Sequence, residues 1–228
     1  MKRLLLFFAV ASFIAPLSGQ DCKAYIPQKE GTILEMKTYN KKDKLNGIST
    51  QEIVKVIETG SETVFHLRQR TTDEKGKNPV ESEMEFVCKD GIFYIDMNTM
   101  VNQEQMSAYE DMEMEVEVTE MEFPSNMKPG QELNDGVIKM SMVSESPVPI
   151  NITVSITNRK VSAIEKITTT AGTFECYKIE QDIETKTMFS VVIQSVTWYA
   201  EGVGAVRSEN YNNGKLMGYT VLSKITQP

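Results

Sequence analysis

A period-two alternation of apolar and polar residues is the feature that leaves this chain fewest choices. It is cleanest where Met112, Met114, Val116 and Val118 alternate with Glu113, Glu115 and Glu117. Successive side chains of a strand point to opposite faces, so the run predicts a half-buried strand with one acidic, solvated face. A helix would scatter both sets around its axis. The same period recurs from Thr32 to the C-terminus, cut by turn chemistry into predicted strands at 32–39, 48–58, 63–72, 80–88 and 92–95. Met84, Phe86 and Cys88 share one face of the fourth, and Asp90-Gly91 supplies the positive φ angles of a tight hairpin before the fifth.

Further strands are predicted at 137–142, 151–157, 161–169, 173–183, 187–200, 205–211 and 215–225. Their turns fall at Asn158-Arg159-Lys160, Ala171-Gly172, Gly202-Val203-Gly204 and Asn212-Asn213-Gly214, and residues 144–149 form a proline-containing connection. One helix is expected, residues 103–112 capped by Asn102, because that stretch lacks Gly, Pro and β-branched residues. The expectation is an all-β, mainly antiparallel fold: a curved sheet or half-open barrel with one short α-helix. No linker interrupts the series, so residues 21–228 are expected to form a single β-rich domain.

The N-terminus points to export. Lys2 and Arg3 precede a nearly unbroken apolar run from Leu4 to Ala15, followed by Pro16, Leu17, Ser18, Gly19 and Gln20. The run is too short to span a bilayer and fits a secretory signal peptide, residues 1–20, cleaved after Gln20. Gln20 and Asp21 separate the small residues from Cys22, so lipidation is not expected. No other stretch reaches membrane-spanning length. Loss of Lys2 and Arg3 takes the formal net charge of −8 two units further negative. That balance argues against nucleic acid and against anionic membrane surfaces as partners.

Three cysteines, Cys22, Cys88 and Cys176, enter an oxidising compartment as an odd number. Cys22 starts a terminus that frays unless tied down, and Cys88 ends a strand beside a hairpin. Cys176 stands in mid-strand. The predicted bridge is Cys22–Cys88, with Cys176 left as a buried thiol.

Chemical motifs are scarce. The single histidine, His66, rules out zinc patterns that need two or three, and a Cys–His nucleophile would have to draw on Cys88 or Cys176. Gly202-Val203-Gly204 lacks the third glycine and the helix of a dinucleotide fingerprint and reads as a strand corner. Glu113, Glu115 and Glu117 line one strand face without an opposing carboxylate, so they read as solvated surface. Trp198 and Tyr199 are read as core and corner residues, and the fourteen methionines chiefly as core filler, with a pocket for varied apolar ligands as the other use. Tyr39-Asn40 with Lys44-Leu45-x-Gly47 is echoed by Tyr211-Asn212 with Lys215-Leu216-x-Gly218. Two related halves or shared hairpin chemistry would each produce that echo.

The order of motifs resembles the TapB-like family of exported Bacteroidetes proteins. The matching stretches are Lys29-Glu30-Gly31-Thr32, Cys88-Lys89-Asp90-Gly91 through Met97, Phe123-Pro124-Ser125-Asn126, Asn158-Arg159-Lys160-Val161, Ala171-Gly172-Thr173-Phe174-Glu175-Cys176-Tyr177-Lys178-Ile179 and Trp198-Tyr199-Ala200-Glu201-Gly202-Val203-Gly204-Ala205-Val206-Arg207. The resemblance implies a curved β-sheet domain akin to lipoprotein carriers, in the periplasm or cell envelope, with no catalytic residues to carry over. Catalytic, cofactor and metal sites are accordingly not expected. The expected function is non-catalytic binding of a lipid-like ligand, or of an apolar segment of an envelope partner, on the concave face of the sheet. A structural or protein-interaction module with a filled core is the alternative, and a hydrolase the least favoured reading.

Overall fold

The computed structural model describes residues 23–95, 97, 113–143 and 150–228. The alternating segments become thirteen strands. These are β1 (Ile33–Asn40), β2 (Leu45–Thr59), β3 (Glu62–Asp73), β4 (Val80–Lys89), β5 (Ile92–Ile95), β6 (Glu113–Thr119) and β7 (Met121–Pro124). They continue as β8 (Gly136–Val143), β9 (Ile150–Thr169), β10 (Gly172–Lys186), β11 (Ser190–Ala200), β12 (Gly204–Asn212) and β13 (Lys215–Thr226). All join one antiparallel sheet in the order β6-β8-β9-β10-β11-β12-β13-β1-β2-β3-β4-β5-β7.

The outermost strands of that order, β6 and β7, are consecutive in the chain and separated only by Glu120. β6 pairs with β8 from Glu113↔Val143 to Thr119↔Val137, and β7 pairs with β5 from Met121↔Ile95 to Pro124↔Ile92. One extended run therefore serves both edges. The sheet must curl until it nearly closes as a barrel, which also hides backbone groups that an open edge would expose.

Successive hairpins alternate between the two ends. The turns β2–β3, β4–β5, β9–β10 and β11–β12 share one end; the tips β1–β2, β3–β4, β10–β11 and β12–β13 share the other, here called the rim. Asp90 and Gly91, at φ 51° and 77°, turn the β4–β5 hairpin as their sequence expects. The first end is plugged by the N-terminal segment. Ala24, Tyr25 and Ile26 are buried, and the Gly202 amide donates to the Ala24 carbonyl at 2.8 Å. A Cβ at Gly204 would come within 2.9 Å of the Tyr25 carbonyl oxygen, so the β11–β12 corner is glycine where the plug passes.

Two apolar clusters result. The larger gathers Tyr25, Phe65, Phe86, Phe93, Phe123 and Ile179 inside the barrel. The smaller holds Leu34, Met36, Cys176, Trp198, Val206 and Leu222, beneath a β9–β10 turn whose Thr170 hydroxyl donates to the Ser223 carbonyl at 2.7 Å.

Three expectations change. Strands predicted at 151–157 and 161–169 are one strand, β9. Asn158 takes a positive φ of 54°, and the ladder to β10 slips at Lys178/Ile179 and Glu180/Asp182. Asn158-Arg159-Lys160 is therefore a bulge, not a turn, and a bulge re-aims the side chain beside it. The strand predicted at 187–200 begins at Ser190, with Thr187–Phe189 forming the β10–β11 tip through a Thr187 amide bond to the Phe189 carbonyl at 3.0 Å. The acidic strand, expected to run on until Phe123-Pro124 ends it, stops at Thr119 and resumes as β7. Residues 1–20, Cys22, the expected helix at 103–112 with its Asn102 cap, and the connection 144–149 lie outside the described residues.

Candidate functional site

The concave face of the sheet changes character along its length. Near the plug, Phe93, Phe123, Ile53, Leu67, Val161 and Ile179 are at most 1% exposed. Across β6, β8 and β9 the register builds apolar rungs, Val118–Ile138–Val154 and Val116–Met140–Ile152. Ile138 and Ile156 are buried there, but Val118, Met140, Val154 and Ile183 beside them are only half-buried, as are Met84 and Ile95 on β4 and β5. Methionine at Met84 and Met140 gives this surface conformational freedom that branched side chains lack.

At the plugged end, Tyr25 lies among Phe93, Phe123, Tyr177 and Tyr199, with ring centroids 5.6 to 6.4 Å away. Its hydroxyl is buried and has no hydrogen-bond partner among the described residues. Burial pushes the Tyr25 phenol, and also that of Tyr199, above the ordinary tyrosine range. Beside them Arg159, 1% exposed, enters the interior from the β9 bulge. Its guanidinium donates to the carbonyls of Asn134 and, at 3.4 Å, Glu122, and reaches the Gln181 side-chain oxygen at 3.4 Å. It also stands 5.1 Å from the Phe123 ring centroid. Burial lowers its pKa. Among the described residues no carboxylate lies at ion-pair distance from it, so main-chain dipoles and a ring face hold the charge, helped by the more distant carboxylates of Asp135 and Glu122. Arg159 thus ties β9 to the end of β7 and to the connection before β8.

The residues singled out from sequence scatter. His66 pairs with Glu85 across β3 and β4, Nδ1 3.5 Å from the carboxylate. Cys88 pairs with Thr63, which puts its side chain on the opposite face of the sheet from His66. Cys176 is a free, buried thiol on β10, pushed up to about 11 mainly by burial. Among the described residues no nucleophile and base meet here. Glu115 and Glu117 are exposed, and Glu117 takes Lys139 at 3.0 Å. Tyr199 joins the Tyr25 cluster, whereas Trp198 turns to the smaller cluster, its indole N–H donating to Glu165 at 3.3 Å. Cys88 is buried beside Phe93, and its expected partner Cys22 is outside the described residues. Sequence reasoning overlooked Arg159 and Tyr25; a turn-like tripeptide concealed the first and an unpatterned segment the second.

An all-β antiparallel, nearly closed barrel with an apolar concave face is the class this geometry defines. The chain belongs to the DUF3108-like family, whose model matches residues 29–222, from before β1 into β13. No curated protein matches it. Among solved structures, the chain is similar to a Bacteroides fragilis protein provisionally described as exported and as having a YmcC-like fold. Identity is 25% and the TM-score 0.72, over 90% of this chain and 100% of that one. It is similar in fold to a Parabacteroides distasonis protein provisionally described as a lipoprotein, with 24% identity, a TM-score of 0.74, and coverage of 91% and 100%. Both descriptions agree with the export expected from residues 1–20. No helix among the described residues is long and apolar enough to cross a membrane.

Proposed function

We propose that this chain is a non-catalytic binding protein of the cell envelope that takes a lipid-like molecule, or an apolar segment of an envelope partner, on its concave face. One observation carries the reading: the concave face is closed by Tyr25 at one end, yet Val118, Met140, Val154 and Ile183 remain half-buried beyond it. A preformed apolar surface on a rigid sheet is what such ligands require. The TapB-like motifs support it by their placement. Ala171 to Ile179 and Trp198 to Arg207 build the β9–β10 and β11–β12 corners, and their Tyr177, Ile179 and Tyr199 close the concave face around Tyr25.

Native mass spectrometry of the chain exported through its own signal tests this. A co-purifying lipid is expected, displaced by a fluorescent fatty acid, and both should be lost in Met140→Lys with Val154→Lys. A chain that carries no lipid and binds no fatty acid is a filled-core module, and the proposal fails.

A further inference from the structure

The rim presents four neighbouring tips, those of β10–β11, β12–β13, β1–β2 and β3–β4, in sheet order. At the first, Met188 is 90% and Phe189 79% exposed, and Val191 and Val192 are each about half exposed. Single exposed apolar residues need no explanation; four within five positions on a projecting tip do. Of the other tips, β1–β2 and β12–β13 are basic, and β3–β4 balances two lysines against two acids. β1–β2 carries Lys41, Lys42 and Lys44, β3–β4 carries Lys75 and Lys77, and Lys186 and Lys215 flank the remaining two. None of these lysines forms an ion pair among the described residues. Of the acidic groups between them, Asp43 accepts from the Tyr219 hydroxyl at 3.0 Å and Asp73 from the Lys75 and Lys77 amides at 2.9 and 2.8 Å. Glu74 is the third. Glu184, across from Val192 at the first tip, accepts from the Ser190 hydroxyl, so seven lysines face four acids on a chain whose net charge is −8. Between the β1–β2 and β12–β13 tips lies an open cleft of about 670 Å³, lined by Lys41, Lys42, Lys215, Leu216 and Met217.

We propose that this rim docks on anionic phospholipid bilayers. Met188 and Phe189 enter the headgroup layer, and the lysine-lined cleft takes a lipid phosphate. Apolar side chains beside unpaired lysines match both layers of such a surface. The excess of acid elsewhere on the chain does not oppose this, because charges beyond about 10 Å are screened at physiological salt. The inference rests on the outer rim and not on the concave-face reading, so either can fail alone.

The test is co-sedimentation of the signal-free chain with vesicles of phosphatidylcholine containing about one-third phosphatidylglycerol, against vesicles of phosphatidylcholine alone. Binding is expected to the first only, falling steeply with added salt. Each of Lys41→Gln, Lys42→Gln and Lys215→Gln should weaken it roughly fivefold, and Met188→Ser with Phe189→Ser about tenfold or more. The variant tips are solvent-exposed, so circular dichroism should be unchanged; the salt dependence and neutral-vesicle control on the parent chain test the idea independently. No binding to anionic vesicles overturns the proposal, and so do equal binding to both vesicle types or variants that bind as the parent does. A dimer in solution that Phe189→Ser dissociates would assign the tip to self-association and overturn it as well.

Discussion

Replacing Tyr25 by phenylalanine should stabilise the fold, although it removes a polar group from a family member's core. The ring contacts to Phe93, Phe123, Tyr177 and Tyr199 survive the change, and only the hydroxyl is lost. That hydroxyl is buried without a partner among the described residues, and such a group costs about 1–3 kcal/mol of desolvation. Tyr25→Phe is therefore expected to gain about 1 kcal/mol, or roughly 2–4 °C in Tm for a chain of this size. Tyr25→Ala, which empties the site, should cost about 3–5 kcal/mol.

Alkaline unfolding gives a second, independent signature of the same residue. Burial holds the phenol protonated in the fold well above the ordinary range. The unfolded chain releases that proton near pH 10 while the folded chain keeps it. The stabilisation is complete below about pH 10 and is lost as pH rises further, at about 1.4 kcal/mol per pH unit for this one group. Tyr25→Phe removes that loss, while Tyr199, shifted the same way, remains in both proteins. Urea titrations of both chains from pH 7 to 11 measure the two effects. A variant less stable at pH 7, or with an alkaline slope equal to that of the parent, would refute the reasoning by showing that the hydroxyl is satisfied or solvated.

Other outcomes follow from the same packing. Arg159→Ala should cost about 2–4 kcal/mol in urea unfolding, because the carbonyls of Asn134 and Glu122 lose their donor, and Arg159→Lys should not restore it, having no planar fork to reach both. Peptide mapping of unreduced, alkylated protein should find Cys22 joined to Cys88 and Cys176 as a thiol that reacts only after denaturation; an alkylated Cys22 in the folded protein would show the pairing to be wrong. Gly218→Ala should cost more than about 2 kcal/mol, since its Cβ would stand 2.5 Å from the Tyr39 carbonyl oxygen of the paired strand, where neither backbone can yield. A mild effect in thermal unfolding would mean that β1 and β13 part more easily than their ladder implies.

Strands were legible in the sequence because most are half-buried and so keep a strict period of two. β5 was read to the residue, and most other strands to within three residues at each end. Closure was not legible, because nothing local in residues 113–124 says that one run pairs with β8 in its first half and β5 in its second. Arg159 was hidden for a related reason. Ile156 and Val161, five positions apart, both face inward, and only the bulge at Asn158 reconciles them with a period of two. Met188 and Phe189 misled in the opposite sense. Apolar residues ordinarily extend a strand prediction, and here they form an exposed tip. The plug had no pattern to read, since Ala24, Tyr25 and Ile26 belong to no strand and are buried among residues from distant parts of the chain, from Phe93 to Gly202.

The echo of Tyr39-Asn40 by Tyr211-Asn212 finds its cause in the sheet. The two hairpins are neighbours, joined through β13 and β1, with the Lys41 amide donating to the Met217 carbonyl at 3.1 Å. Both echoed glycines face a crowded neighbour: a Cβ at Gly47 would meet the Thr72 carbonyl oxygen at 2.8 Å, as one at Gly218 would meet that of Tyr39. Shared hairpin chemistry accounts for the repeat, and related halves are not needed. The same repetition sets Asn40 and Asn212 at adjacent tips and brings Lys215 beside Lys41 and Lys42, and these residues form walls of the basic cleft. Net charge summed over the chain concealed that cleft. Its lysines are far apart in sequence, and only the antiparallel order, which returns every second turn to one end, collects them on the rim.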